Sequence, residues 1–303
     1  MRILAADGLD ERAIAALEAD GHEVIRGTGG YAPEALIEAL DGVDVLVVRS
    51  ATKVPRAVLE ARRDSLRLVI RAGSGLDSID TDAARDLGVA VTNTPGLNAP
   101  GVAELAIGLM FAVVRRVGFA HAGMLAGRWE KKACKGTELA GKRLGVVGLG
   151  RIGARVAELG RAIGMDVVGH RRSPDRGGPV PLVDLDELFA SCDVVSLHVP
   201  AGPETRNMVD AARLERVRRG QVIVNTARGD VLDLDACLAA LEDGRLGGLG
   251  IDVWPVEPPP EMHPVVRHPA VVATPHIGAQ TAESTARIGE RVVELVRELA
   301  SGG

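Results

Sequence analysis

Three polar residues lie in short loops late in the chain, each just past a β-branched run. Arg228 sits in Val224-Asn225-Thr226-Ala227-Arg228-Gly229-Asp230, Glu257 in Asp252-Val253-Trp254-Pro255-Val256-Glu257-Pro258, and His276 in Thr274-Pro275-His276-Ile277-Gly278. In an open α/β sheet the loops after the strands share one edge, where ligands bind, so all three can meet at one crevice. Prolines beside Glu257 and His276 stiffen both loops. An arginine can fork to a carboxylate and its neighbouring carbonyl oxygen. A histidine can give that oxygen a proton as hydride reaches the carbon, and take it back in reverse. A glutamate beside the imidazole favours its charged form and fixes its orientation. Singly, Arg228 reads equally as a surface ion pair, Glu257 as a solvated loop acid and His276 as a satisfied turn histidine. Jointly they fit hydride transfer to or from a 2-hydroxy acid.

Such chemistry needs a hydride carrier, and the chain holds a motif for one. The run Arg143–Val147 feeds into Gly148-Leu149-Gly150-Arg151-Ile152-Gly153, and Ala154–Ile163 reads as a helix. This is G-x-G-x-x-G between a strand and a helix, the setting that a dinucleotide site requires. Gly148 allows the tight turn, Gly150 lets backbone approach a pyrophosphate at the helix N-terminus, and Gly153 lets helix and strand pack closely. An NAD site wants an acidic residue after the next strand to accept from the ribose hydroxyls. Here Gly169 is followed by His170, Arg171, Arg172 and Ser173. Two guanidiniums and a hydroxyl suit a 2′-phosphate, so the loop predicts a preference for NADP(H). A solvated basic loop, with NAD held elsewhere, is the alternative reading. Further candidates for the cofactor cleft are His198, Val199, Pro200, Thr205, Thr226, Ala227, Asp252, Gly278 and Ala279. His22, His121, His263 and His268 have no evident partners in the sequence.

The elements that must position these residues alternate. Strands are expected at Ile3–Ala6, Val43–Val48, Leu68–Arg71, Val89–Val91, Arg143–Val147, Asp166–Val168, Val194–Leu197, Val222–Val224, Leu249–Asp252 and Val271–Ala273, with helical stretches between them. A long helix is expected from about Val102 to Ala126 and a closing one from about Thr281 to Leu299. The pattern predicts an α/β protein with two Rossmann-like or flavodoxin-like, doubly wound parallel-sheet domains and a cleft between them. The turn signal Asn93-Thr94-Pro95-Gly96 marks a boundary.

Composition narrows the class. The 303 residues carry 41 acids against 36 bases, a net charge of −5, which argues against general nucleic-acid binding. The longest uncharged apolar run, Leu105–Val114, is too short to span a bilayer, and the N-terminus does not read as a signal peptide. Three widely spaced cysteines, Cys134, Cys192 and Cys237, form neither a disulfide framework nor a metal pattern, so a reducing cytoplasm and no metal are expected.

The fingerprint, Asn225–Gly229, the Glu257 loop and Thr274–Gly278 resemble the D-isomer-specific 2-hydroxyacid dehydrogenases along essentially the whole chain. That resemblance implies that Arg228, Glu257 and His276 are catalytic, with His276 the proton donor. It implies a discontinuous substrate domain, 1–97 plus 283–303, around an NAD(P)-binding domain, 98–282. It also implies a homodimer formed through the helical stretch after Pro100. Val48–Val54, Arg71–Asp77, Trp129–Lys132 and Gly136–Leu139 are similar to the phosphoglycerate dehydrogenase branch. Arg49, Lys53, Arg71 and Lys131 could offer positive charge to a substrate phosphate, and the N–H groups of Gly73, Ser74 and Gly75 could hold a carboxylate. Ser50 and Asn98 complete the candidate substrate set. Ordinary surface charge is the competing reading for the bases, Lys131 above all. NADP(H) use fits the glyoxylate and hydroxypyruvate reductases of the same superfamily, which are the alternative. A non-catalytic nucleotide-sensing scaffold ranks below both. No appended regulatory domain follows Gly303, so feedback through one is not expected.

Overall fold

The computed structural model describes residues 1–173 and 178–302. The chain divides into two compact units, Met1–Asn98 with Ala279–Gly303, and Ala99–Gly278. The first holds five parallel strands: β1 (Arg2–Ala5), β2 (Glu23–Arg26), β3 (Val45–Val48), β4 (Leu68–Arg71) and β5 (Ala90–Asn93), ordered β2-β1-β3-β4-β5. Between them run α1 (Glu11–Ala19), α2 (Pro33–Ala39), α3 (Arg56–Arg62) and α4 (Thr81–Asp86). Strand β3, Val-Leu-Val-Val, is wholly buried because helices cover both faces of a doubly wound sheet. Its side chains alternate between two cores. Val45 and Val47 join Ile3, Leu17 and Ile70, whereas Leu46 and Val48 join Leu4, Leu36 and Leu59. Each such aliphatic contributes about 1.5–3 kcal/mol when fully buried.

The second unit begins with α5 (Ala99–Val114) and α6 (Val117–Leu125). Its six parallel strands are β6 (Arg143–Val147), β7 (Asp166–His170), β8 (Val194–Leu197), β9 (Gln221–Asn225), β10 (Leu246–Ile251) and β11 (Val271–Ala273), ordered β11-β10-β9-β8-β6-β7. Helices α7 (Arg151–Ile163), α8 (Leu185–Ser191), α9 (Ala211–Leu214) and α10 (Leu234–Glu242) connect them. Leu109, Met110 and Val156 cover one face, and Leu188, Phe189 and Cys237 the other. The last helix, α11 (Ala282–Ala300), belongs to the first unit. It buries Ile288, Val292 and Val296 with Leu17 of α1, and Arg297 forks to Asp20 at 2.6 and 3.1 Å.

Several sequence expectations need correction, among them the strand expected over Val43–Val48, which starts at Val45. The long helix from Val102 to Ala126 is two helices, broken where Arg116 takes a left-handed φ of 54°. Backbone at Gly136 and Thr137 docks against the last turn of α5, with Thr137 N–H donating to the Val114 carbonyl at 3.0 Å. Strand β2 was not anticipated, being a half-exposed edge strand of four residues. Strand β10 starts at Leu246, with a register irregularity before Gly248. The Val89–Val91 strand runs instead over Ala90–Asn93. No helix among the described residues is long and apolar enough to cross a membrane, and none of their His, Cys, Asp and Glu side chains gather in threes to hold a metal ion.

Candidate active site

Arg228 follows β9, Glu257 follows β10 and His276 follows β11, and these three strands are consecutive neighbours in the sheet. Being parallel, they deliver their following loops to one edge. There His276 Nδ1 lies 2.5 Å from Glu257 Oε2, while Glu257 Oε1 accepts from the Trp254 N–H at 2.9 Å. The Trp254 indole in turn donates to the Thr274 carbonyl at 3.1 Å, tying the two loops together. Arg228 is seated by its own turn: Asn225 Nδ2 donates to the Arg228 carbonyl at 2.8 Å and Asn225 Oδ1 accepts from Ala227 N–H at 3.0 Å. Gly229 lets this turn pack on the Trp254–Pro255 backbone, since a Cβ there would overlap it. Burial pushes the Glu257 carboxyl up, but the His276 hydrogen bond, the Trp254 N–H and the charges of His276 and Arg228 outweigh it and hold the carboxyl below its ordinary value. An ionised glutamate bonded to one imidazole nitrogen fixes the ring and leaves Nε2 for proton transfer.

Asp252, directly after β10, is turned to the same loop. Its Oδ1 accepts from Thr274 Oγ1 at 2.6 Å and Ile277 N–H at 2.8 Å, and its Oδ2 from Gly278 N–H at 2.9 Å.

The fingerprint has the geometry a pyrophosphate needs. Gly148 turns at φ 92°, and a Cβ on Gly148 or Gly153 would strike backbone, the His198 carbonyl for one and the Gly148 carbonyl for the other. Gly150, by contrast, has nothing within 4 Å of where its Cβ would lie, and α7 starts there without any side-chain cap. Its first N–H groups are therefore available to an anion. Thr226 Oγ1 and His198 Nδ1 are buried without hydrogen-bond partners near this edge. His198 Nε2 pairs with Ser196 Oγ at 2.8 Å, and desolvation pushes the His198 pKa down to about 3. A ring so neutral is unsuited to acid–base work. Val199 packs over Gly148, and Thr205 Oγ1 closes the next loop on the Pro200 carbonyl at 2.7 Å. His170 is the last residue of β7, which runs two residues past the expected end at Val168, and its Nδ1 lies 3.1 Å from the Val183 carbonyl; beyond it Arg172 pairs with Glu204 at 2.7 Å on the surface, and Ser173 is exposed. Residues 174–177 lie outside the described set.

In the first unit, Arg49 follows β3 and Arg71 ends the adjacent β4. Asp7, just past β1, pins the Arg49 loop: its Oδ2 accepts from Arg49 N–H at 2.7 Å and Thr52 N–H at 3.1 Å, and its Oδ1 from Thr52 Oγ1 at 2.5 Å. Burial lowers the Arg49 pKa, with the Asp7 charge working the other way. The Gly73–Ser74 turn is held by Ser74 Oγ donating to Asn98 Oδ1 at 2.7 Å and by Asn93 Nδ2 donating to the Ser74 carbonyl at 2.7 Å. Ser50, Lys53 and Lys131 are exposed.

Sequence reasoning missed Asp7 and the loop-binding role of Asp252. Three histidines that seemed partnerless have partners. His22 Nδ1 lies 3.3 Å from the Met1 amino group, His263 Nε2 lies 3.2 Å from Asp235, and His268 Nδ1 accepts from Ala270 N–H at 3.2 Å.

A doubly wound sheet with this fingerprint and with Arg, Glu and His on its following loops defines a nicotinamide-dependent oxidoreductase. Residues 107–278 match the D-isomer specific 2-hydroxyacid dehydrogenase family, NAD binding domain, and the chain belongs to that family. It is 45% identical to a hydroxypyruvate reductase of Thermotoga maritima over 86% of each chain. It is 38% identical to a D-3-phosphoglycerate dehydrogenase of Methanocaldococcus jannaschii over 100% of this chain, which spans 58% of that enzyme's length. The crystal structure of the TT0316 protein from Thermus thermophilus aligns over 100% of this chain and 97% of its own, with a TM-score of 0.93 and 37% identity. The enzyme transfers hydride between a nicotinamide cofactor and a 2-hydroxy acid.

Proposed function

We propose that the substrate pair is 3-phosphoglycerate and 3-phosphohydroxypyruvate, and that NADP(H) is preferred over NAD(H). The observation that carries the substrate reading is the cationic edge of the first unit. Arg49 and Arg71 follow neighbouring strands, and the Arg49 backbone is fixed by Asp7. Arg49, Lys53 and Arg71 of this edge supply positive charge to the phosphate, and the N–H groups of Ser74 and Gly75 receive the carboxylate, whereas that of Gly73, expected to share the task, donates to the Arg71 carbonyl at 2.8 Å. The second reading, hydroxypyruvate reduction, is favoured by the 45% identity to the Thermotoga maritima enzyme.

When bound, the nicotinamide supplies or accepts the hydride at the 2-carbon. His276 gives the proton that turns the carbonyl oxygen into a hydroxyl, and removes it in the oxidative direction. Glu257 holds the imidazole through Nδ1 and stabilises its charged form. Arg228 orients the carboxylate and polarises the carbonyl. The N–H groups of Gly150, Arg151, Ile152 and Gly153 would receive the pyrophosphate, with Gly148, whose own N–H donates to the His170 carbonyl at 2.8 Å, making the turn. The NADP(H) preference rests on Arg171, Arg172 and Ser173 standing where a ribose-binding carboxylate is wanted.

We also propose a homodimer through α5, α6 and the segment after them. Phe111, Val117, Met124, Leu125 and Trp129 are exposed there, Leu125 by 76% and Trp129 by 78%. A cytoplasmic setting fits three unbridged thiols, of which burial pushes Cys192 to about 11 and Cys237 to about 12.

The test is kcat/KM for 3-phosphohydroxypyruvate and for hydroxypyruvate, with NADH and NADPH each saturating. A large preference for the phosphorylated acid supports the first reading. Parity, or preference for hydroxypyruvate, moves the assignment to the second. Arg171→Asp is expected to shift the NADPH/NADH ratio of kcat/KM toward NADH, and an unmoved ratio removes that loop from cofactor choice.

A further inference from the structure

His276 adopts a left-handed backbone, φ 54°, which a non-glycine residue keeps only where its surroundings impose it. The hydrogen bonds that flank it here run to a single carboxylate. On the C-terminal side, the N–H groups of Ile277 and Gly278 both donate to Asp252, at 2.8 and 2.9 Å. On the N-terminal side, the Thr274 hydroxyl donates to the same carboxylate at 2.6 Å. The three bonds bracket His276. Asp252 is 1% exposed, so water does not compete for them. The fit is close, since a Cβ on Gly278 would come within 3.1 Å of Oδ2.

We infer that Asp252 is a positioning residue for proton transfer: it holds His276 in the left-handed geometry that sets Nδ1 against Glu257. The inference rests on the reading of His276 as the acid and base. The sequence offers Asp252 as a cofactor contact, and its three bonds to the His276 loop give it this task in addition.

Asp252→Asn tests this. One side-chain oxygen becomes an NH₂ donor, which faces a backbone N–H of Ile277 or Gly278 whichever way the amide turns. The expected result is a fall of about 10- to 100-fold in kcat for keto-acid reduction, of the size a misplaced catalytic group costs. The solvent deuterium isotope effect on kcat should rise as proton delivery becomes slow. The Kd for NADPH, titrated by fluorescence on the free enzyme, should stay within about twofold. Thr274→Val removes one donor with little change of volume and should give the same signature at about 3- to 10-fold. If Asp252→Asn fails to fold, Thr274→Val decides alone. Unchanged kcat and isotope effect in the folded variants overturn the inference. So does a loss that sits in the NADPH Kd and vanishes at saturating NADPH, which would return the carboxylate to the cofactor. His276→Ala separates the two readings. If it leaves turnover intact, the acid–base reading fails and the inference with it. If it abolishes turnover while the Asp252 and Thr274 variants do not respond, only the positioning role fails.

Discussion

The two units share one winding and use it differently. Each places its first strand between the second and third, so the strand order reverses beside β1 in one unit and beside β6 in the other. Ligands bind outside such reversal points. In the second unit the loops after β6 and β8 touch through Gly148 and the His198 carbonyl, while Gly150 is left open. In the first unit the loops after β1 and β3 are joined by the Asp7 carboxylate, bonded to Arg49 and Thr52. One reversal point is a cradle for an anion. The other is closed by an anion of its own, and presents cations at its rim. Topology chooses the place, and the residue following the first strand decides what can be bound there.

The largest expected effect tests the chemistry that only the second unit carries. His276→Ala should lower kcat by about 10²- to 10⁴-fold with NADPH affinity retained. Survival of turnover would make the two edges alike in lacking an acid. Next come the glycines of the cradle. Gly153→Val puts side-chain atoms against the Gly148 carbonyl and should cost both folding and cofactor affinity. Gly150→Val meets open space, so thermal unfolding should hold while NADPH affinity falls. Equal losses of stability would mean that Gly150 is structural and the cradle is not open.

Glu257→Gln should lower kcat for keto-acid reduction and flatten the acid limb of its pH profile. The sign follows from charge. Glu257, held below its ordinary value, is ionised at neutral pH, and the charge it sets against the His276 ring is lost only as pH falls through that lowered value. Glutamine carries no charge to lose. An acid limb unchanged in the variant would remove Glu257 from the role. The smallest effect belongs to the first unit. Asp7→Ala leaves the Arg49 and Thr52 N–H groups without their acceptor, a cost of about 1–3 kcal/mol where the group is buried, and less at a site open to water. It should raise KM for the phosphorylated acid more than for hydroxypyruvate. Equal changes would detach the Arg49 loop from phosphate recognition.

Local pattern made much of this molecule legible. Leu68–Arg71, Arg143–Val147 and Val194–Leu197 are runs whose apolar residues and flanking turns mark a strand without outside help. The convergence of Arg228, Glu257 and His276 was legible too, because parallel strands must send their following loops to one edge. What escaped depends on partners far away in sequence. Asp7 meets Arg49 and Thr52 across 42 and 45 residues, and Asp252 meets Ile277 across 25. The break before α6 depends on Gly136 and Thr137, beyond the far end of that helix. Strand β2 is too short and too exposed to show an apolar period.

The bonds from Ile277 and Gly278 to Asp252 give these two amides an unusual standing. They lie in a loop, outside any strand ladder, and Ile277 is 38% exposed. Exchange of such protons with solvent deuterium requires the carboxylate to let go. Their exchange rates are therefore a clock for the release of the histidine from its seat, readable in the resting enzyme before any substrate is added.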